Sequence, residues 1–157
     1  HGGDDFIYRL AITEAAPSAA ATVAFHSANV QAGKGSEMKV AVKRANGFKA
    51  KLQLAAKNLP DGVTAPPVDV PEKDGEVTLK LTASADAKPA GQPFALILRE
   101  TESGTEYPAR HFMTTGSENN GVPQGYTELV IGATDQLWLT VLAGPAKAEP
   151  PKSDAPK

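Results

Sequence analysis

Cysteine is absent from the 157-residue chain. That excludes a disulfide framework, a thiolate zinc site and a cysteine nucleophile. It leaves the compartment open, because many large exported bacterial proteins also avoid cysteine. Aromatic residues are scarce, at 6% with a single Trp, so a core built from the 41% of apolar residues must be aliphatic. Basic charge is not in excess: 16 Lys and Arg stand against 18 Asp and Glu, for a net charge of −2. Nucleic-acid binders show a strongly basic balance or face, so no nucleic-acid partner is expected. No apolar run approaches the roughly 18 residues of a membrane-spanning helix, and no membrane span is expected. The Gly-x-Ser-x-Gly elbow of hydrolases and the His-Glu-x-x-His zinc motif are both missing.

What is present is a period of two. Phe6 to Ile12 alternates, with its bulky apolar residues at even positions. Met38, Val40 and Val42 alternate with Glu37, Lys39 and Lys43, and Phe48, Ala50, Leu52 and Leu54 with Lys49, Lys51 and Gln53. Val77, Leu79 and Leu81 alternate with Glu76, Thr78, Lys80 and Thr82. Successive side chains on a strand face opposite ways, so these are strands with one face on a core and one in water. Phe94 to Leu98 and Leu129 to Ile131 are apolar on both faces and predict central or doubly covered strands. Ala21 to Phe25, Tyr107 to Met113 and Leu137 to Leu142 bring the set to about nine.

Turn residues separate the runs: Gly33-Lys34-Gly35, Asn46-Gly47, Pro60-Asp61-Gly62, Lys73-Asp74-Gly75, Ser103-Gly104 and Asn119-Asn120-Gly121. Asn46-Gly47, between two alternating runs, predicts a hairpin. No segment keeps a helical period over three turns; Glu14 to Ala21 is rich enough in Ala for one helical turn, which Pro17 interrupts. The expected architecture is an all-β, immunoglobulin-like antiparallel β-sandwich of about nine strands over residues 5–143. Residues 1–4 read as a linker or expression boundary. Residues 144–157, rich in Pro, Ala and Lys with no large apolar residue, read as a disordered tail or linker.

Four segments carry a resemblance: Tyr8-Arg9-Leu10-Ala11-Ile12, Val40 to Phe48, Asn58-Leu59-Pro60-Asp61-Gly62-Val63 and Thr78 to Ala87. Their order resembles the immunoglobulin-like module that follows pre-peptidase C-terminal (PPC-like) domains in large exported bacterial proteins, and is similar to NEW3-type domains that accompany glycoside hydrolases. The resemblance spans roughly residues 5–95 and implies an accessory module, secreted, periplasmic or on the cell surface. It brings no catalytic residue. The stretch 103–125 matches no motif.

Gly33-Lys34-Gly35-Ser36 lacks the upstream Gly and following helix of a phosphate loop, and reads as a hairpin turn. His26 and His111, on predicted strands, could hold a metal with a carboxylate such as Glu100 or Glu106, but lone strand histidines are usually structural, so no metal site and no cofactor is assigned. Glu100, Glu102 and Glu106 flank the Ser103-Gly104 turn and read as a solvated decoration rather than a glycosidase pair. Asp4-Asp5 and Glu118-Asn119-Asn120 offer oxygens to calcium without the dense spacing of a dedicated loop. Lys39, Lys43, Lys49, Lys51 and Lys57 form either a basic stripe across two neighbouring strands or a charged face that blocks sheet stacking, the reading preferred here. Alternation puts Leu137, Leu139 and Val141 inward and Trp138 outward. Trp138, Tyr126 and Tyr107 are the ligand-binding candidates. The expected function is spacing, domain docking or protein interaction, with neighbouring domains of the same parent protein as partners. The alternative is a carbohydrate-binding module that uses those aromatics on an extracellular polysaccharide, and a hydrolase-type enzyme is a distant third.

Overall fold

The computed structural model describes residues 14–116 and 128–144. They form eleven strands and no helix: β1 (Ser18–Val23), β2 (Ser27–Gln31), β3 (Gly35–Ala45), β4 (Leu52–Lys57), β5 (Val63–Thr64), β6 (Val68–Val70), β7 (Gly75–Ala83), β8 (Ala90–Glu100), β9 (Glu106–Gly116), β10 (Glu128–Thr134) and β11 (Leu137–Leu142). The predicted strand 6–12, the Asp4-Asp5 and Glu118-Asn119-Asn120 oxygens, the Asn119-Asn120-Gly121 turn, Tyr126 and the tail from 145 onward lie outside the described residues.

The alternation read from the sequence decides the layers. Met38, Val40 and Val42 on β3 and Val77, Leu79 and Leu81 on β7 turn inward from one layer. Leu52 and Leu54 on β4, Phe94, Leu96 and Leu98 on β8, and Leu137, Leu139 and Val141 on β11 face them from the other. All belong to one apolar cluster, and no polar or charged residue among those described is buried. Each such side chain, fully withdrawn from water, contributes about 1.5–3 kcal/mol.

One layer runs β5-β7-β3-β1 and the other β2-β11-β8-β4-β6. The first described strand, β1, lies beside β3 on one layer, and the chain then crosses to the other, where β2 runs parallel to β11. That split opening strand and the order of the rest make an immunoglobulin-like β-sandwich. To it is added a hairpin before the final strand. β9 starts in one layer, where Glu106, Tyr107 and Pro108 pair with Arg99, Leu98 and Ile97 of β8. It then passes to the other, where Ala109 to His111 run parallel to Ala21 to Val23 of β1, and β10 folds back on its far half. β9 thereby stitches the two layers together along one side.

The structure holds more strands than the nine expected and two parallel pairs, β1 with β9 and β2 with β11. β2, β5 and β6 were not legible because they are short edge strands with few large apolar residues. Asn46-Gly47 makes a tight turn, with φ of 54° and 74° and a Phe48 N–H to Ala45 carbonyl bond of 3.1 Å. It does not make the expected hairpin: β3 pairs with β1 and β7, and β4 lies in the opposite layer. The turn chemistry fixes a reversal of the chain, and the two apolar faces that follow it meet across the core instead of side by side. Gly33-Lys34-Gly35 likewise turns between layers rather than closing a hairpin, with Gly33 at φ 78°. The Ser103-Gly104 turn does close one, between β8 and β9. Glu14 to Ala21 holds no helical turn; its second half is β1, whose Ala19 and Ala21 pack into the core.

The two runs apolar on both faces divide. In β8, Ile97 is buried outside the main core cluster, with Ala55 and Pro108 as its strand partners, so that strand is covered twice. In β10, Val130 and Ile131 are exposed, contrary to the expectation. Among the described residues β10 pairs only with β9, and a register shift between Val130 and Gly132 interrupts that pairing.

Candidate functional site

Trp138 sits where alternation put it. Leu137 and Leu139, on either side, are 1% and 0% exposed, whereas Trp138 is 47% exposed on the outer face of β11. Its backbone N–H donates to the His26 carbonyl at 2.7 Å, tying the start of β11 to the bend between β1 and β2. The indole lies over Gly91 on β8: a Cβ there would meet its Cζ2 at 3.3 Å and its Nε1 at 3.4 Å. The missing side chain of Gly91 is what lets the ring rest against the sheet.

Tyr107 does not join it. Trp138 pairs with Pro93 and Tyr107 with Leu98, five residues farther along β8, which is about 16 Å at the usual strand rise. Tyr107 is half-buried, edge-on to Phe48 with ring centroids 5.9 Å apart, and its hydroxyl donates to Glu100 Oε1 at 2.6 Å. The three-aromatic platform is therefore not assembled around Trp138 and Tyr107, and Tyr126 lies outside the described residues. In register terms, Tyr107 anchors the hairpin of β8 and β9.

The carboxylates at that hairpin are engaged locally. Glu100 accepts from Tyr107 and from the Ser103 hydroxyl, and Glu106 pairs with Lys57. The Ser103 and Tyr107 hydroxyls hold the Glu100 carboxyl below its ordinary range, and the bond to Glu100 raises the Tyr107 phenol. The pair thus adds stability that is lost as pH falls through the lowered Glu100 value, and again as pH rises through the raised Tyr107 value. Both groups are near solvent, so the contribution is modest. The expected result is that the phenolate signal lost on Tyr107→Phe titrates above the range of a free tyrosine. A difference titration in the ultraviolet checks this; a component at the ordinary value would contradict the bond.

The lysines separate. Lys39 and Lys43 are on β3, whereas Lys57 is on β4 and Lys49 and Lys51 precede it, and β3 and β4 belong to opposite layers. The basic stripe across neighbouring strands, the less favoured of the two readings, does not form. Lys39 pairs with Glu76 at 2.9 Å and Lys57 with Glu106.

His26 and His111 do come together, with ring centroids 5.4 Å apart and planes tilted by 42°. Neither expected carboxylate accompanies them, since Glu100 and Glu106 are held at the other end of β9. Among the described residues no group of three or more His, Asp or Glu side chains converges.

The exposed apolar residues were not anticipated as a group. Seven large ones stand out among the described residues: Phe25, Phe112, Met113, Val130, Ile131, Trp138 and Leu142. All but Leu142 lie on the β9–β10 hairpin, on the β1–β2 bend, or at the start of β11 just after β10. Phe25, the most open at 75%, and Phe112 flank a shallow groove of about 850 Å³ whose floor includes Thr22, Ala24, Met38 and Ala41. The sequence held one signal for this. Phe25 ends an alternating run, and Phe112 follows His111 inside an otherwise ordinary strand, but nothing in either run says that the two strands would lie side by side. Among the described residues no helix is long and apolar enough to cross a membrane. No protein-family model matches the chain, and no curated protein matches it.

Proposed function

We propose that this domain is a non-catalytic accessory module of an exported multi-domain bacterial protein, and that it docks a neighbouring domain of the same parent. The docking end is the β1–β2 bend, the β9–β10 hairpin and Trp138. The observation that carries this is that, among the described residues, six of the seven exposed large apolar side chains lie on these elements. Single scattered apolar side chains on a surface need no explanation, whereas their concentration in one part of a fold points to an interface. For that interface Phe25 and Phe112 stand on the outer face of the β1 layer and Trp138 on the outer face of the β11 layer. The hairpin that presents them is the addition to the immunoglobulin-like plan, inserted just before the last strand. The resemblance to modules that follow PPC-like domains supports the same reading, because such modules sit in chains of linked domains.

Phe25→Ser combined with Trp138→Ser tests it. Both side chains are largely on the surface, so the isolated domain is expected to lose no more than about 1 kcal/mol relative to the wild type. In the parent protein, the same pair is expected to uncouple the melting of this domain from that of its neighbour. Identical melting of the domain alone and in the parent, with or without the substitutions, would contradict docking.

A second reading, polysaccharide binding through Trp138, is favoured by the open indole over Gly91. A glycan array with the purified domain separates the two: retention of a glycan by the wild type and its loss in Trp138→Ala would replace docking by carbohydrate binding.

A further inference from the structure

The paired histidines lie in a place that the core does not require. His111 is on β9 and shares a strand face with Ala109, which is fully buried opposite Ala21. Two residues farther on, the sandwich is running out: β1 ends at Val23, and the chain bends through Ala24, Phe25 and His26 to start β2 in the other layer. His111 is half-buried at this open end, and exposed His26 comes round the bend to meet it.

The hydrogen bonding sets the chemistry of the pair. His111 Nδ1 lies 3.2 Å from the Val23 carbonyl oxygen. A carbonyl can only accept, so Nδ1 carries a hydrogen, and in the neutral imidazole Nε2 then holds the lone pair. That is the tautomer and the support of a metal-binding imidazole, which commonly donates its other ring N–H to a backbone carbonyl or a carboxylate. The bend holding His26 is itself fixed, since the His26 carbonyl accepts from the Trp138 N–H at 2.7 Å.

The spacing agrees. With a metal–nitrogen distance of about 2.1 Å, an ion sits roughly 3.2 Å from each ring centre, and two rings sharing it at a tetrahedral angle have centres about 5 Å apart. The observed separation is 5.4 Å, and the 42° tilt is not that of stacked rings. We infer that His26 and His111 form a two-imidazole site for a late first-row transition-metal ion, Cu(II) or Zn(II), with the remaining coordination positions taken by water or an incoming ligand. Imidazole suits both ions, and of the two Cu(II) is the more tightly bound by such ligands. The inference does not rest on the docking role, and either can fail without the other.

Trp138 supplies the readout. It is the only Trp in the chain, and its backbone is bonded directly to His26. Cu(II) bound at the pair quenches its fluorescence, whereas Zn(II), which has a filled d shell, does not quench but competes. Titration of the purified domain with Cu(II) is expected to quench Trp138 with one equivalent, and Zn(II) is expected to restore the emission. His26→Gln and His111→Gln should each weaken the binding at least tenfold, on the scale seen when support of a metal ligand is lost. Their electron paramagnetic resonance spectra should lose coupling to one of two imidazole nitrogens. His1→Ala, at the only other histidine, should leave the titration unchanged. His26 is exposed, so His26→Gln keeps the fold, and circular dichroism verifies it; that variant decides the matter even where His111→Gln unfolds the domain. Undiminished one-equivalent binding in His26→Gln, or loss of binding in His1→Ala, overturns the site.

Discussion

Leu139→Ala is expected to destabilise the domain by about 2–5 kcal/mol, and Trp138→Ala, one residue away, by no more than about 1 kcal/mol. Leu139 is fully buried between the layers with Phe94, Leu96 and Leu98 from β8 in the same cluster. Truncation removes its transfer free energy and leaves a cavity that the surrounding side chains fill only in part. Trp138 is larger, but nearly half of it is in water and the rest lies on the bare backbone of Gly91. Urea denaturation measures both values, and an unchanged slope would show that stability alone has moved. A reversed order would mean that β11 is turned over, since a one-residue slip sends every side chain to the other face.

Gly62→Val is expected to cost about 2–4 kcal/mol, the sum of backbone strain and overpacking. Gly62 sits at φ 80°, where a branched side chain is a steric outlier. A Cβ would also stand 3.0 Å from Ser84 Oγ and 3.2 Å from Ala87 Cα, and that second neighbour is backbone that cannot swing aside. The Gly62 carbonyl accepts from the Ser84 N–H at 2.8 Å, so relief by moving the turn would break the tie between the β4–β5 loop and the end of β7. Gly47→Val separates the two contributions. Gly47 has a similar φ of 74°, with nothing within 4 Å of its missing Cβ. It should cost only the strain of the left-handed conformation, about 1 kcal/mol. Equal losses at the two positions, measured by thermal or urea melting, would mean that packing at Gly62 contributes nothing.

The faces of β3, β4, β7 and β11 were legible in the sequence because each strand is wetted on one side, and a period of two then states which residues are buried. Met38, Val40, Val42, Leu52, Leu54, Leu79 and Leu139 all went inward as the alternation required. Pairing was less legible. Asn46-Gly47 specifies a reversal of the chain, but whether the next strand joins the same sheet or the opposite one is decided by which apolar faces meet, and that is a long-range matter. β10 shows the other limit. Val130 and Ile131 have the composition of a covered strand and are exposed nonetheless, because no local rule distinguishes apolar residues saved for a partner from those meant for the core.

Of the aromatic candidates, Trp138 and Tyr107 are among the described residues, and only the first was legible. Trp138 was placed outward by its neighbours, and so it is. Tyr107 went to the other end of β8, held by Phe48 and Glu100, since the register of a hairpin cannot be read from the presence of an aromatic. The meeting of His26 with His111 depends on the parallel pairing of β1 with β9, across more than eighty residues of chain. Parallel neighbours leave no turn between them for a sequence to announce.

Acrylamide quenching of Trp138 fluorescence, in the isolated domain and in the parent protein, tests the docking account most directly. The indole of the free domain should be readily quenched, as its 47% exposure requires. In the parent protein, the neighbouring domain should shield it and shift its emission to the blue. Equal quenching and equal emission in the two would contradict the account.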